Sequence, residues 1–222
     1  MSGLGQIPTS SSEPSGGVAL ARRYDYVIVG SSVAAVAAVE AIRGVDGTGS
    51  VLVLGEEEVA AYSRPLISHH FAGKRDVVDM IYPRPGFWDT TGATVKTGTR
   101  AVSCDPERKT VTTDKGDDIG YGVLLLATGS RPGMPPIEEG LDLDGVFTLT
   151  NLEDSQNIKE CLPRVRRVCV IGGGLIGLQA AEALIELGRE VTVIEFMEKI
   201  LGRVFDGVAS SVVEELFRER GA

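Results

Sequence analysis

The residues best suited to chemistry are Gly172-Gly173-Gly174-Leu175-Ile176-Gly177, which satisfy the spacing GxGxxG. The motif follows the apolar run VCVI, opens a small-residue helical pattern, and meets an acidic residue, Glu195, at the end of the next apolar run. Those are the surroundings a dinucleotide-phosphate fingerprint requires. Gly172 permits the tight turn, Gly174 lets backbone approach a pyrophosphate, and Gly177 lets helix and strand pack closely. The helix start presents N–H groups and about half a positive charge to phosphates. Glu195 is placed to accept hydrogen bonds from ribose hydroxyls and to repel a 2′-phosphate, so NAD is favoured over NADP. Phe196 and Met197, rather than an arginine, follow it.

A degraded copy stands earlier, in YVIVGSSVAAVAAVEAIR from Tyr26. Aligned on strand and helix, Gly30 takes the tight-turn place, Ser32 the close-approach place and Ala35 the packing place. Ser32 narrows the approach but can donate to a phosphate oxygen. Glu56 and Glu57 follow the second strand, near the place Glu195 holds in the clean copy. Two copies suggest two dinucleotides, one held as a cofactor and one visiting as a reductant.

Other reactive side chains carry less. His69 and His70 are neighbours in sequence and do not share a helix face, so no metal is expected. Cys104, Cys161 and Cys169 are scattered, without a CxxC, which argues for reduced, partly buried thiols in a cytoplasmic protein rather than a zinc knuckle or disulfide framework. Apart from the ribose role, the acidic run Glu56–Glu58 reads as a solvated strand end. Leu175, Ile176, Leu178, Leu184 and Leu187 are most simply core-facing.

These residues need strands and helices to hold them. Tyr24–Val29 and Val51–Leu54 read as buried strands flanking a helix that runs to about Arg43. TVKTG, RAVSCD and KTVTTD, between Thr94 and Asp114, alternate in polarity and suggest an antiparallel excursion. Gly120–Gly129 reads as a strand ending in a glycine turn, and SRPGMPPIEEG as a linker. Asn151–Leu162 reads as a helix with Asn151 or Asp154 near its start. The strand–turn–helix–strand pattern then returns up to Glu195, and a last helix is capped by Asp206 with Gly221 near its end. The fold class is α/β: two Rossmann-like units with parallel sheets and a small antiparallel excursion, both incomplete at the C-terminus. Residues 1–22 read as a flexible tail, 23–150 as the first dinucleotide domain and 151–222 as the first half of the second.

The 222 residues fit one large domain or two small ones. A hydrophobic share of 43% is enough for a core. The net charge of −9 and pI near 4.8 argue against nucleic acid and anionic membrane surfaces. No apolar run reaches the roughly 20 residues of a membrane span, and the N-terminus lacks a signal-peptide pattern.

The two units, with Tyr62-Ser63-Arg64-Pro65-Leu66-Ile67-Ser68 and Ala127-Thr128-Gly129 between them, resemble the pyridine nucleotide–disulfide oxidoreductase-like flavoproteins, in particular the rubredoxin reductase, ferredoxin reductase and NADH oxidase branch. The similarity runs from about Tyr24 to the last residue. It implies FAD on the first unit, with Ser32, Val33, Ala34 and Ala35 at the pyrophosphate and Glu56 or Glu57 at the ribose. Arg64 and Pro65 pass beside the flavin, Ala101 lies at the adenine through its backbone, and Thr128, Gly129 and Arg131 close over the cofactor. NAD lies on Gly172, Gly174, Leu175, Ile176, Gly177 and Glu195. The implied chemistry is hydride transfer from NADH to flavin, then electron transfer to an acceptor the sequence does not name, with no catalytic side chain required.

The chain departs from the family pattern in three ways. No cysteine lies in SRPLISHHF, which disfavours a thiolate mechanism. His69 and Gln179 stand where several relatives carry Lys and Glu, so they become candidates for tuning the flavin and nicotinamide. The family's later Gly-Asp segment and interface domain are missing, so the expectation is a truncated form or one subunit of a split enzyme, completed by another chain or by self-association. The alternative is a non-catalytic nucleotide-binding fragment or assembly module.

Overall fold

The computed structural model describes residues 22–59, 61–137 and 139–222. The tail expected over 1–22 therefore lies outside the described residues, except for Arg22, which opens the first strand. β1 (Arg22–Val29), α1 (Val33–Val45) and β2 (Val51–Leu54) form a parallel unit in register from Tyr26 opposite Val51 to Val29 opposite Leu54. β3 (Thr94–Lys96) adds parallel to the outside of β2. This corrects the expectation for TVKTG, which lies in the parallel sheet; its apolar neighbour there outweighs the polar alternation. β4 (Ala101–Asp105), β5 (Thr110–Thr113) and β6 (Asp118–Leu126) form the antiparallel excursion. β6 returns parallel to β1, which closes a six-stranded order β3-β2-β1-β6-β5-β4.

The central strands are apolar on both sides because both sides are covered. Ile28, Val51 and Val53 pack against Ala35, Val36 and Val39 of α1. Val27, Val29, Leu52 and Leu54 pack against Val111, Ile119 and Tyr121 of the antiparallel ribbon. This sandwich fixes the C-terminal ends of β1 and β2, where the first glycine turn sits.

After an irregular stretch following β6, α4 (Leu152–Cys161) begins with Asn151 accepting the Asp154 N–H at 2.8 Å. β7 (Arg167–Ile171), α5 (Leu175–Glu186) and β8 (Glu190–Ile194) repeat the first unit, again parallel and in register. α6 (Gly207–Glu219) follows, with Asp206 accepting from the Ala209 N–H. Ala181 and Leu184 of α5 pack with Val168, Val170 and Val191. No described residue covers the opposite face of this two-stranded sheet: Cys169 and Thr192 are exposed, and Ile171 and Ile194 are more than half exposed.

A short helix, α2 (Ile67–Phe71), joins the two units. Phe71 leaves the first unit and is buried among Leu162, Ala181, Ala183, Leu184 and Val191 of the second. Burying such a ring stabilises by about 2–3 kcal/mol. Ile67, with Tyr62 and Met80, meets Leu149 and Leu152. Ser155 is fully buried and donates to the Ile67 carbonyl at 3.0 Å, while its Oγ lies 2.8 Å from His70 Nδ1. A second short helix, α3 (Phe87–Thr91), has no counterpart in the sequence reading and sends Phe87 into the core beside α1. Among the described residues no helix is long and apolar enough to cross a membrane.

Candidate functional sites at two glycine turns

Both turns stand at the C-terminal end of a parallel strand, where an open α/β sheet places its ligands. Gly30 has φ +114° and Gly172 φ +107°, a region that admits glycine and strains other residues. Each is tied to the neighbouring strand end: the Gly30 N–H donates to the Leu54 carbonyl, and the Gly172 N–H to the Ile194 carbonyl, both at 2.8 Å. The next carbonyl is also tied in each unit. Ser31 accepts from the Ala61 N–H, and Gly173 from the Leu201 N–H, again both at 2.8 Å. Ala61 and Leu201 are themselves left-handed, at φ +31° and +54°. The duplication therefore extends past the motif into the loop beyond each second strand.

In the second turn each glycine serves a separate need. A Cβ on Gly177 would overlap the Gly172 carbonyl, so Gly177 sets the distance between helix and strand. A Cβ on Gly173 would lie 2.6 Å from Ile200 Cγ2 and 3.1 Å from Glu195 Oε2, so this glycine makes room for the loop and the acid. That contact had no signal in the fingerprint. Gly174 begins α5 with open space around it and no side-chain cap. No acceptor among the described residues meets the N–H groups of Leu175, Ile176 and Gly177. Leu175 and Ile176 are each 58% exposed, which corrects their expected place in the core; they form the outer lip of the helix start. Leu178 and Leu184 are buried as expected.

Glu195 follows β8 directly and accepts from the Gly173 N–H at 2.6 Å and the Met197 N–H at 2.8 Å. The Met197 and Gly173 N–H bonds hold its carboxyl below the usual range. It is an ionised acceptor fixed beneath the turn, with lone pairs left for hydroxyl donors. Gln179 is exposed on α5.

The first turn is built differently. Its Gly30 faces the protein: a Cβ there would run into the Ala127 carbonyl, and the Ala127 N–H donates back to Val29 at 2.7 Å. Ala127, Thr128 and Gly129 thus lie against the turn, with Thr128, Gly129 and Arg131 exposed. Ser32 caps α1 in extended conformation without a side-chain hydrogen bond. No acceptor among the described residues meets the Val33 and Ala34 N–H groups, and both residues are exposed, whereas Ala35 is fully buried.

The residue directly after β2, in the position of Glu195, is Gly55. A Cβ on Gly55 would meet the Ser31 side chain. The exposed Glu56 comes next. Glu57 is half-buried and turned elsewhere, paired with Arg64 and accepting from the Tyr62 hydroxyl at 2.5 Å. This corrects the solvated reading of the acidic run at Glu57. Pro65 is exposed beside Arg64, and Ala101 lies at the start of β4, partly buried on the core.

His69 is exposed, whereas His70 is buried at the joint of the two units. Burial, aided by the Lys159 charge, pushes the His70 pKa down, against the opposing pull of Asp76. Cys104 and Cys169 are exposed and Cys161 is intermediate, so only one thiol is partly buried as expected. No cluster of metal-ligating side chains occurs among the described residues.

The donor sets fit dinucleotides. Each turn offers uncapped helix N–H groups, open space or a small side chain at the approach point, and a carboxylate beyond the second strand. The sequence profile of the pyridine nucleotide-disulphide oxidoreductases matches residues 24–222. The chain is 34% identical to a rubredoxin-NAD(+) reductase of Pseudomonas putida over 88% of its length and 51% of the relative's. It is 31% identical to the epsilon subunit of an NADH-dependent phenylglyoxylate dehydrogenase of Aromatoleum evansii, over 88% of this chain and 46% of that one. Among solved structures, the water-forming NADH oxidase of Lactobacillus brevis aligns with TM-score 0.81 at 28% identity, covering 89% of this chain and 45% of the oxidase. The chain thus spans about half the length of the curated relatives it matches. Two strand–turn–helix units of this build, matched over nearly the whole described length, show that the chain belongs to the pyridine nucleotide-disulphide oxidoreductase family, an oxidoreductase lineage whose cofactors are FAD and a pyridine nucleotide.

Proposed function

We propose that the chain carries the FAD site and the first half of the NAD site of an NADH:acceptor oxidoreductase. Residues 23–150 form the FAD-binding domain and 151–222 the start of the NAD-binding domain. The reading rests on one observation above all: two uncapped helix starts at parallel strand ends, the second with Glu195 fixed below it as an ionised acceptor. On this reading the Val33 and Ala34 N–H groups and Ser32 hold the FAD pyrophosphate, and Glu56 accepts from its ribose. Thr128, Gly129 and Arg131 lie over the cofactor, with Pro65 on its flavin side and Ala101 at its adenine end. Gly174, Leu175, Ile176 and Gly177 cradle the NAD pyrophosphate. Glu195 takes the adenosine ribose and disfavours a 2′-phosphate, so NADH is preferred to NADPH. His69 and Gln179 are exposed positions that could face the flavin and nicotinamide.

FAD, when bound, would supply the hydride-accepting redox chemistry. The protein would bind and orient the two cofactors. An acceptor of the rubredoxin or ferredoxin kind is favoured by the relatives' activities. The uncovered face of β7 and β8 favours completion by further chain, on the same or another polypeptide, before turnover. It also gives weight to a second reading, a nucleotide-binding module without turnover of its own.

The test is a visible absorption spectrum of the purified chain before and after anaerobic NADH. Flavin bands that bleach would support both sites. Flavin bands that NADH leaves unchanged would favour the binding module. A chain that stays colourless with added FAD would sink the FAD assignment for this chain alone.

A further inference from the structure

The two units meet through a polar cluster of Glu57, Tyr62 and Arg64. Arg64, in a short turn spanning Arg64–Leu66, reaches two acceptors with its fork: the Glu57 carboxylate, and the Thr150 carbonyl at 2.6 Å. Its guanidinium carbon lies 5.2 Å from the centre of the Tyr62 ring. The Tyr62 hydroxyl donates to Glu57 Oε2 at 2.5 Å and accepts the Leu152 N–H at 3.1 Å. Leu152 is the first residue of α4, so its N–H is one of the donors a helix cannot satisfy internally. A tyrosine of the first unit therefore caps the first helix of the second, with a carboxylate behind it that suits the positive end of the helix. The segment around Tyr62 is itself fixed, since the Ser63 N–H donates to Met80 and the Tyr82 N–H to Ala61. Tyr62 is 3% exposed, and its burial, together with the Glu57 bond, holds its phenol proton well above the ordinary range. The hydroxyl thus stays a donor to Glu57.

We propose that Glu57 is a positioning residue, not a cofactor ligand: through Tyr62 and Arg64 it latches the start of α4, and so the second unit, to the first. The latch stands on geometry alone; only the exclusion of Glu57 from the ribose rests on the FAD reading. The latch places the two units at a fixed angle, which is what hydride transfer between cofactors held on different units requires.

The test is amide hydrogen exchange across residues 149–156 of the full chain in Glu57→Gln, Tyr62→Phe and the double variant, with Glu56→Gln as the control. FAD binding is followed separately by flavin fluorescence. Loss of a charge-assisted, partly exposed bond should speed Leu152 exchange by about tenfold in either single variant. The double variant should exchange no faster than Tyr62→Phe, because both act on one relay. Glu56→Gln should leave exchange unchanged and weaken FAD, while Glu57→Gln leaves FAD affinity unchanged. Arg64→Lys keeps a cation for Glu57 but loses the fork, and should give a smaller rise in exchange; it carries the test if Glu57→Gln does not fold. Unchanged Leu152 exchange in these variants would overturn the latch, as would additive effects of Glu57→Gln and Tyr62→Phe. Weakening of FAD by Glu57→Gln with Leu152 still protected would return Glu57 to the ribose. A chain that binds no FAD would sink the cofactor reading and leave the exchange result to decide the latch.

Discussion

The two glycine turns share a backbone and differ in which side fills the space beneath it. In the second, Gly173 leaves room and Glu195 fills it, accepting the Gly173 N–H. In the first, Ser31 fills the corresponding space and Gly55 leaves room. Side chain and vacancy have exchanged places across one contact. The tight-turn glycines differ too: Gly30 has the Ala127 carbonyl against it, whereas no described residue lies against Gly172. A glycine fingerprint thus mixes two demands, close approach of the protein to itself and close approach of a ligand.

The sharpest way to break this comparison is Gly30→Ala. Positive φ and overlap with backbone act together, so the variant should lose more than about 4 kcal/mol by chemical denaturation, or fail to fold. Gly172→Ala meets strain without overlap and should cost only about 1–2 kcal/mol. If the two cost the same, the contrast is wrong.

The exchange across the contact is tested by rescue. Gly55→Ala should destabilise by about 1–3 kcal/mol, because its Cβ lies 2.7 Å from Ser31 Cβ. Adding Ser31→Gly should restore most of that loss, and additive losses would show that the sites do not share the space.

Glu195→Gln should weaken NADH binding about tenfold, near 1.4 kcal/mol, while NADPH binding weakens less. Equal losses for the two nucleotides in a fluorescence titration would remove Glu195 from the choice between them.

The smallest effect lies at the joint. The folded pKa of His70 is below its ordinary value of 6.5, so the unfolded state binds the proton more readily. Its contribution is fully present above about pH 6.5 and is lost as the pH falls from there through the lower folded pKa. A thermal melt series should show a drop in Tm on acidification that His70→Gln flattens. An unchanged profile would assign the drop to other groups.

Much of the fold was legible because hydrophobic period and glycine spacing are local. Both strand–turn–helix–strand units, the Asn151 and Asp206 caps and the antiparallel ribbon follow from short stretches. β3 was misplaced because strand direction depends on the neighbour, and Lys96 pairs with Leu54, more than forty residues away. The starts of α1 and α5 were legible as glycine turns at strand ends. Leu175 and Ile176 were misplaced because an apolar pattern does not say that a helix start projects beyond its sheet. Glu57 was indistinguishable from Glu56 in a run of three acids; only the position of Arg64 and Tyr62 separates them.

The sequence by itself determined that there are two dinucleotide-type units, that the second has the cleaner turn, and that Glu195 is its acid. These are properties of spacing along one strand and one helix, set by backbone geometry. The tertiary structure decided what spacing cannot carry: that Gly30 is held by Ala127, that Gly55 stands where an acid was expected, and that Phe71, Ser155 and His70 join the two units. It also paired Glu57 with Tyr62 and Arg64, a contact that an acidic run does not announce. Each of these is a contact between residues distant in the chain, and such contacts exist only once the sheets have closed and the helices have packed against them.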